Sequence, residues 1–314
     1  MRVLSFDGAS WTTSEQRATT VQQQIKNDRL TWVRAGGLSL PDSEELGAVF
    51  GLHPLAIEDI HSERQRPKVE DYDDLTFAVV RVPRGDGDLA WQQVAIFVGE
   101  DFVVTASKDY IPELDAVESR LLQKGLPEAS LAPGRLFHVI IDALVDAWFP
   151  FMDTLEERID GLEDAAAHSA DKECLADIRI AKQIISRARK VTVPMRDATL
   201  SLERAEHPHI RLEDQVYLRD VSDHMVRLTE RLEHVKEMAM FAQESWNASL
   251  ANHQNQAMKR LTVLFALFLV PTFLAGLGGM NFPGIPEWDY WTVTGTMFAL
   301  IATGFLVAVW KRWL

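Results

Sequence analysis

Polar and small residues recur with a seven-residue period in an otherwise apolar stretch near the C-terminus. The series is Asn255, Met258, Thr262, Phe265, Leu269, Thr272, Gly276 and Gly279, with alternating steps of three and four residues. This period places all eight on one helix face, of the kind that packs against other helices. A coiled-coil core would explain Phe265 and Leu269. Inside a membrane, however, polar and small residues on one face are expected where a helix lines a watery path or approaches another backbone closely. Both interpretations predict an oligomer.

Two uncharged segments, 261–279 and 291–310, are each about 20 residues long, the length needed to cross a bilayer. Basic residues flank the pair on its outer ends and acidic residues lie in the loop: Lys259, Arg260, Lys311 and Arg312, against Glu287 and Asp289. By the positive-inside rule, both termini face the cytoplasm. The sequence therefore predicts a multi-pass protein of the inner (cell) membrane, with the lipid bilayer as a partner.

The remainder of the chain is strongly acidic. The chain carries 32 Lys and Arg against 46 Asp and Glu, a net charge of −14, and residues 1–254 alone carry −16. This charge predicts no nucleic-acid partner. An acidic surface near a membrane is either an ordinary solvated surface or one that concentrates cations, and charge alone leaves both open. We find no phosphate-binding glycine loop, nucleophile elbow or zinc-protease motif, so we do not expect an enzyme.

The first third of the chain predicts a compact α/β domain over residues 1–134. Runs rich in β-formers occur at 30–33, 75–82, 92–98 and 102–106. A helix is expected to open at Asp42, with Asp42 and Glu45 in a capping box. From 135 to 208 the apolar spacing becomes helical, and Pro194 and Pro208 are expected to end segments.

A single long helix is predicted next. Between Pro208 and Pro271 there are 62 consecutive residues without glycine or proline. At 1.5 Å per residue, such a helix extends about 90 Å, which exceeds the thickness of a bilayer. We therefore expect a stalk helix over 209–279 whose last part, 261–279, is the first span. An outer loop at 280–290, a second span at 291–310 and a basic cytoplasmic C-terminus at 311–314 complete the prediction.

The first span ends in Gly279-Met280-Asn281, followed by a short loop, a second span and a basic terminus. In this context, the triplet resembles the signature of the CorA family of divalent-cation channels, within the superfamily of two-span proteins with a Gly-x-Asn motif. The resemblance extends to other segments, namely 255–262, 271–273, His53 to Ile60 and Gln65 to Glu70. It covers most of the chain.

The resemblance implies a funnel-shaped homopentamer: an N-terminal cytoplasmic α/β domain, long stalk helices that continue into the first spans around a central pore, and the second spans outside them. Mg²⁺ and Co²⁺ would be the transported ions, moving inward down their electrochemical gradient. By the same resemblance, Gly279, Met280 and Asn281 form the selectivity filter, and Glu287 lies at the pore entrance. Further residues would line the pore: Asn255, Met258, Leu261, Leu269, Thr272 and Gly276. Amide oxygens suit hydrated Mg²⁺, because this ion gives up its water shell reluctantly.

The resemblance also implies regulation by intracellular Mg²⁺. Glu58, Asp59, Asp142 and Asp220 match family positions that bind regulatory divalent ions between neighbouring subunits. Facing carboxylates repel each other, and a bound cation would neutralise them. We therefore expect intracellular Mg²⁺ to close the pore, although surface acids without a ligand are the alternative.

Two other functions stay open. A zinc transporter of the same superfamily, possibly proton-coupled, is favoured by Gly284-Ile285-Pro286, whereas Phe282 and Glu287 favour magnesium and cobalt. The nine histidines form no HxxxH set, which weighs against zinc. A membrane-anchored structural or signalling protein is the other alternative, but a simple anchor does not need a polar stripe.

Overall fold

A computed structural model describes residues 1–8, 10–16, 21, 30–62, 65–72, 74–85, 90–126, 131–168, 170–204, 206–279 and 289–311. The chain divides into two compact units. Unit 1 comprises Met1–Leu162 and Ala176–Met240, and unit 2 comprises Glu163–Leu175 and Phe241–Leu314.

Unit 1 is built on a seven-stranded sheet in the order β2-β1-β3-β7-β6-β5-β4. The strands are β1 (Arg2–Phe6), β2 (Trp11–Glu15), β3 (Leu30–Gly36), β4 (Lys68–Tyr72), β5 (Leu75–Arg84), β6 (Ala90–Val98) and β7 (Phe102–Ser107). Only the central pair β3 and β7 is parallel among the described strands. The four β-rich runs of the sequence are confirmed as β3, β5, β6 and β7.

Helices cover both faces of this sheet because side chains alternate between them. One face, with Val33, Phe77 and Phe97, packs on α1 (Leu40–Phe50) and α2 (Pro54–His61). The other, with Trp32 and Ile96, packs on α3 (Glu113–Lys124), α4 (Pro133–Asp146) and the unit-1 parts of three longer helices. The first third of the chain is thus an α/β domain, as predicted.

The start of α1 differs from the sequence prediction. Ser39 is the N-cap, and its hydroxyl accepts a hydrogen bond from the Asp42 amide at 3.4 Å. The Asp42 carboxylate in turn accepts from the Ser39 amide at 3.1 Å. The capping box is therefore Ser39 with Asp42, one turn before the predicted pair, and Pro41 occupies the first turn, where its missing amide hydrogen costs nothing.

Three long helices follow: α5 (Trp148–His168), α6 (Lys172–Arg204) and α7 (Leu212–Gly278). The prediction that Pro194 ends a segment is wrong, since α6 runs through it. Buried neighbours on one face, Val191 and Met195, hold α6 against the core on both sides of the proline. The predicted long helix is confirmed as α7, which has 67 residues and passes through Pro271.

Among the described residues of unit 2, two helices are long and apolar enough to cross a membrane: α7, through its C-terminal part, and α8 (Tyr290–Trp310). The Trp246 ring nitrogen donates to the Asp171 carbonyl at 2.9 Å within this unit. Asp289 is the N-cap of α8, and its carboxylate accepts from the Thr292 amide and hydroxyl, both at 3.1 Å. This loop acid therefore has a structural role.

The two apolar helices pack through a narrow stripe. Val263, Leu267 and Pro271 on α7 and Gly304 and Ala308 on α8 border a shared apolar cleft. A Cβ at Gly304 would lie 2.6 Å from Leu267 Cδ2, so glycine allows the helices to approach.

Candidate functional site

The seven-residue stripe lies on the face of α7 that points away from α8. Leu269 is two positions after Leu267, which corresponds to a rotation of about 200° around a helix of 3.6 residues per turn. The exposed fractions agree, because Val263 is 8% exposed, whereas Phe265 and Leu269 are 71% and 67% exposed. Nothing in the described part of a single subunit covers this face.

Individual residues of the stripe differ in chemistry. Asn255 is exposed, and Met258 and Leu269 are exposed apolar positions of the stripe. Leu261, which precedes Thr262 and lies outside the series, is also exposed. The Thr272 hydroxyl donates to the Phe268 carbonyl at 2.7 Å, which leaves its oxygen as an acceptor. A Cβ added at Gly276 would meet no atom within 4 Å. The stripe thus combines side-chain acceptor oxygens with exposed apolar side chains and glycines.

In the sequence, the triplet Gly279-Met280-Asn281 follows directly on this stripe. Gly279 is described, and its amide donates to the Ala275 carbonyl at 3.0 Å, which extends the helix to the triplet. Met280, Asn281 and Glu287 lie outside the described residues. Their assignment rests on the sequence.

A second candidate site, in unit 1, is a cluster of carboxylates around His224. Ligand atoms of Asp142 and Asp146 on α4 and of His224 on α7 all lie within 4.8 Å of one another. The His224 Nδ1 atom is 3.2 Å from Asp146 Oδ1 and 3.8 Å from Asp142 Oδ1, and its Nε2 atom is 4.0 Å from Asp220 Oδ1. We call these four residues the Asp–His cluster.

The electrostatics of the Asp–His cluster favour a cation. Burial raises the pKa of the Asp142 carboxyl, and the nearby Asp146 raises it further. Asp142 Oδ1 is a buried atom without a hydrogen bond among the described residues, and the nearby His224 Nδ1 lies 3.2 Å from Asp146 Oδ1. A buried carboxylate oxygen without a hydrogen bond, close to a second carboxylate, fits a divalent cation, which would neutralise the carboxylates.

The structure brings together only some of the predicted regulatory residues. Asp142 and Asp220 both lie beside His224, whereas Glu58 and Asp59 lie on α2, outside the cluster. The Asp59 carboxylate binds Lys68 Nζ at 2.9 Å and Gln65 Nε2 at 3.0 Å. Within one subunit, the negative charge of the Asp59 carboxylate is therefore already balanced by Lys68.

Sequence reasoning missed Asp146 and His224. The signal was present as two i, i+4 pairs, Asp142 with Asp146 and Asp220 with His224, which place each pair on one helix face. Because such pairs are common on solvated helices, only the packing of α4 against α7 distinguishes them.

Comparison with known proteins gives a family match over most of the chain. Residues 27–313 match the family model described as "CorA-like Mg2+ transporter protein". The putative metal ion transporter YfjQ of Bacillus subtilis is 31% identical, over 90% of this chain and 89% of that protein. The cobalt/magnesium transport protein CorA of Thermotoga maritima is 30% identical, over 90% and 83%.

Zinc transporters and solved structures are also similar. The zinc transport protein ZntB of Yersinia pseudotuberculosis is 24% identical, over 87% of this chain and 85% of that protein. The complete structure of the CorA magnesium transporter from Methanocaldococcus jannaschii has the same fold, with a TM-score of 0.82 at 18% identity, covering 100% and 99% of the two chains. Since the family model spans nearly the whole sequence, the chain belongs to the CorA-like Mg²⁺ transporter family.

Proposed function

We propose that the chain forms a homopentameric channel for Mg²⁺ and Co²⁺ in the inner membrane, with both termini in the cytoplasm. The observation that carries the proposal is the exposed stripe of α7, because it combines acceptor oxygens with an apolar surface on the face opposite α8. Association of several copies through this face would enclose a path and cover the stripe. The close approach of α8 at Gly304 supports its place outside the ring.

Each predicted residue then has a physical role. Asn281, with Gly279 and Met280, would form the filter and accept hydrogen bonds from the hydrated ion. Asn255, Thr272 and Gly276 would offer polar or open positions along the path. Met258, Leu261 and Leu269 would form constrictions that gate by dewetting, and Glu287 would raise the cation concentration at the entrance.

The driving force follows from charge. A membrane potential of 100 mV, negative inside, favours entry of a divalent ion by about 4.6 kcal/mol. Passive influx therefore requires no covalent chemistry and no coupled ion.

We assign the regulatory role to the Asp–His cluster, together with Glu58 and Asp59, which would take part across a subunit boundary. The cluster would hold Mg²⁺ through its carboxylates, and the ion would supply charge neutralisation. Loss of the ion would leave the carboxylates to repel each other and loosen the closed assembly.

The domain limits are proposed on the same basis. Residues 1–134 form the α/β domain, 135–208 the helical segment, and 209–279 the stalk and first span. Residues 280–290 form the outer loop, 291–310 the second span and 311–314 the basic terminus.

Zinc is the second candidate ion, and His224 is the observation in its favour. Imidazole is a common ligand of Zn²⁺, whereas Mg²⁺ prefers oxygen ligands. The similarity to ZntB and the Gly284-Ile285-Pro286 segment point the same way.

The test is ion uptake into proteoliposomes that contain the purified full chain. Mg²⁺, Co²⁺ and Zn²⁺ are compared with and without a proton gradient, and Asn281→Ala is measured beside the wild type. We expect Mg²⁺ influx that needs no proton gradient and falls at least about tenfold in the variant, or about 1.4 kcal/mol. Zn²⁺ uptake that requires the gradient would favour the zinc transporter, and uptake independent of Asn281 would contradict the pore.

A further inference from the structure

A broad cavity in unit 1 is lined by basic residues. It has a volume of about 720 Å³ and lies between the loop at Gln65 to Pro67, strands β5 and β6, and the 186–194 segment of α6. Five basic residues line it: Arg66, Arg81, Arg187, Arg189 and Lys190. No acidic residue is among the described residues that line the cavity, although the chain has 46 acidic residues and 32 basic ones.

Among the described residues, three of these five basic groups have no anionic partner. Arg189 Nε is 2.8 Å from Glu233 Oε1. Among the residues that the structure describes, no ion pair involves Arg66, Arg187 or Lys190. Positive charges gathered around one cavity repel each other, and a bound anion would relieve that repulsion.

One of the basic residues that line the cavity, Arg81, is partly buried. Arg81 lies on β5, and burial lowers the pKa of its guanidinium. The Arg81 backbone carbonyl accepts a hydrogen bond from the Trp148 ring nitrogen at 2.9 Å, which fixes this part of the strand. A guanidinium removed from water is a strong binder of phosphate oxygens, because it offers several fixed donors.

One wall is aromatic and apolar. Trp91 lines the cavity and stacks on Trp148, with ring centroids 5.0 Å apart and an interplanar angle of 22°. The remaining apolar surface is lined by Pro67, Val191, Val193 and Pro194. A rigid indole beside arginines suits a planar ring with phosphates attached, since bases stack on aromatic side chains and on guanidinium planes.

The cavity also accounts for part of a sequence motif that the ion path leaves without a role. Gln65, Arg66 and Pro67 begin the segment Gln65 to Glu70 that resembles the family signature. The Gln65 side chain is held by Asp59, and proline restricts the backbone after Arg66. The loop thus presents Arg66 at the rim from a fixed position.

We propose that this cavity binds a nucleoside polyphosphate, with its phosphates on Arg66, Arg81, Arg187 and Lys190 and its base against Trp91. The volume falls within the range of small-molecule sites, roughly 300–1,000 Å³. A long nucleic acid is disfavoured because the surrounding unit is strongly acidic.

The test is isothermal titration calorimetry on the purified full chain in detergent micelles, in a buffer with a chelator that removes divalent ions. ATP, tripolyphosphate and adenosine are the probes. We expect saturable binding of ATP, weaker binding of tripolyphosphate and no binding of adenosine. Since no metal is present, the result is independent of the proposed transport.

Charge reversal on α6 provides the matched comparison. The double substitution Arg187→Glu, Lys190→Glu changes two exposed residues of the cavity, and we expect ATP affinity to fall by about tenfold or more. Arg179→Glu changes an exposed residue of the same helix that does not line the cavity, and we expect less than about a twofold change. Trp91→Leu should weaken ATP binding and leave tripolyphosphate binding unchanged.

Three results would overturn the proposal: no saturable ATP binding by the wild type, an equal loss of affinity in Arg179→Glu and in the double variant, or equal affinity for ATP and adenosine. Thermal unfolding of each variant, compared with the wild type, separates loss of the site from loss of the fold.

Discussion

The stripe of α7 and the Asp–His cluster are both polar sites on helices, but they arise differently. The stripe belongs to one helix, is exposed and contains no ionisable residue, since Lys259 and Arg260 lie outside the seven-residue series. The cluster requires two helices, α4 and α7, and is partly buried. Desolvation therefore shifts the charge state of groups in the cluster, whereas the stripe has no ionisable group on which it could act.

This difference separates the two sites experimentally. A buried ionisable group makes stability depend on pH and on bound cations, because burial penalises its charged form. Neutral side chains on an exposed face leave the free energy of unfolding almost unchanged, and in the proposed channel they would affect only the passage of the ion. We expect the largest stability effects near the cluster and the smallest along the stripe.

The largest effect should come from His138, which lies on α4 one turn before Asp142. Burial, with the nearby Arg135, lowers the pKa of His138 to about 4 from 6.5. The unfolded chain therefore takes up this proton at a higher pH than the folded chain does. The stability due to this shift is complete above pH 6.5 and is lost as the pH falls towards 4.

The loss of stability reaches up to about 3 kcal/mol, at 1.36 kcal/mol per unit of pKa difference between the folded and the unfolded chain. We expect His138→Leu to remove this loss, because leucine does not bind a proton. Unfolding of both proteins in detergent is followed from pH 7 to pH 4. Parallel curves for wild type and variant would contradict the buried neutral histidine.

The next effect is stabilisation by a divalent cation at the cluster. An ion that binds only the folded protein stabilises it by about 2.7 kcal/mol at one hundred times its dissociation constant. Thermal unfolding with added Mg²⁺, compared with a chelator, should show this gain in the wild type. Asp142→Asn, Asp146→Asn should lose most of it, and an unchanged gain in that variant would place the ion elsewhere.

A smaller effect of opposite sign is expected without metal. The raised pKa of Asp142 means that its charged form is less favourable in the folded protein than in water. Asp142→Asn alone should therefore stabilise the metal-free protein by about 1 kcal/mol at pH 7, comparable to relief of one unsatisfied buried group. A lower melting temperature in chelator would show that the carboxylate has a compensating partner.

The smallest effect on stability should come from the stripe. Thr272 and Thr296 each donate a hydroxyl hydrogen bond to the carbonyl four residues earlier, both at 2.7 Å. Thr272→Val removes an oxygen from the proposed path and should lower Mg²⁺ uptake by about threefold, or about 0.6 kcal/mol. Thr296→Val on α8 is the matched control and should leave uptake unchanged. Equal loss in both variants would assign the effect to helix stability.

The sequence predicted elements that carry their own periodicity. The long helix, both apolar spans and the four β-rich runs each have a pattern within one continuous segment. Strands β1, β2 and β4 were missed because they are only five residues long, and β4, Lys68–Tyr72, has three charged residues. Their strand state depends on pairing with neighbours, which a local pattern does not contain.

The sites follow the same rule. The stripe was visible because one helix period contains it. Only part of the Asp–His cluster was predicted. Asp142 and Asp220 came from the family resemblance, whereas His224 belongs to no recognisable motif. Burial of Asp142 against another helix is a property of tertiary packing, and it is what gives the cluster its chemistry.

Pro194 interrupts the backbone hydrogen bonding of α6. A proline has no amide hydrogen, so the Lys190 carbonyl has no helical donor, and the ring tends to bend the helix at this turn. Val191 and Met195 stay anchored in the core on either side. The turn of α6 that loses a backbone hydrogen bond is thus the turn that lines the cavity with Lys190, Val191 and Pro194, and core packing holds it in place where that hydrogen bond is missing.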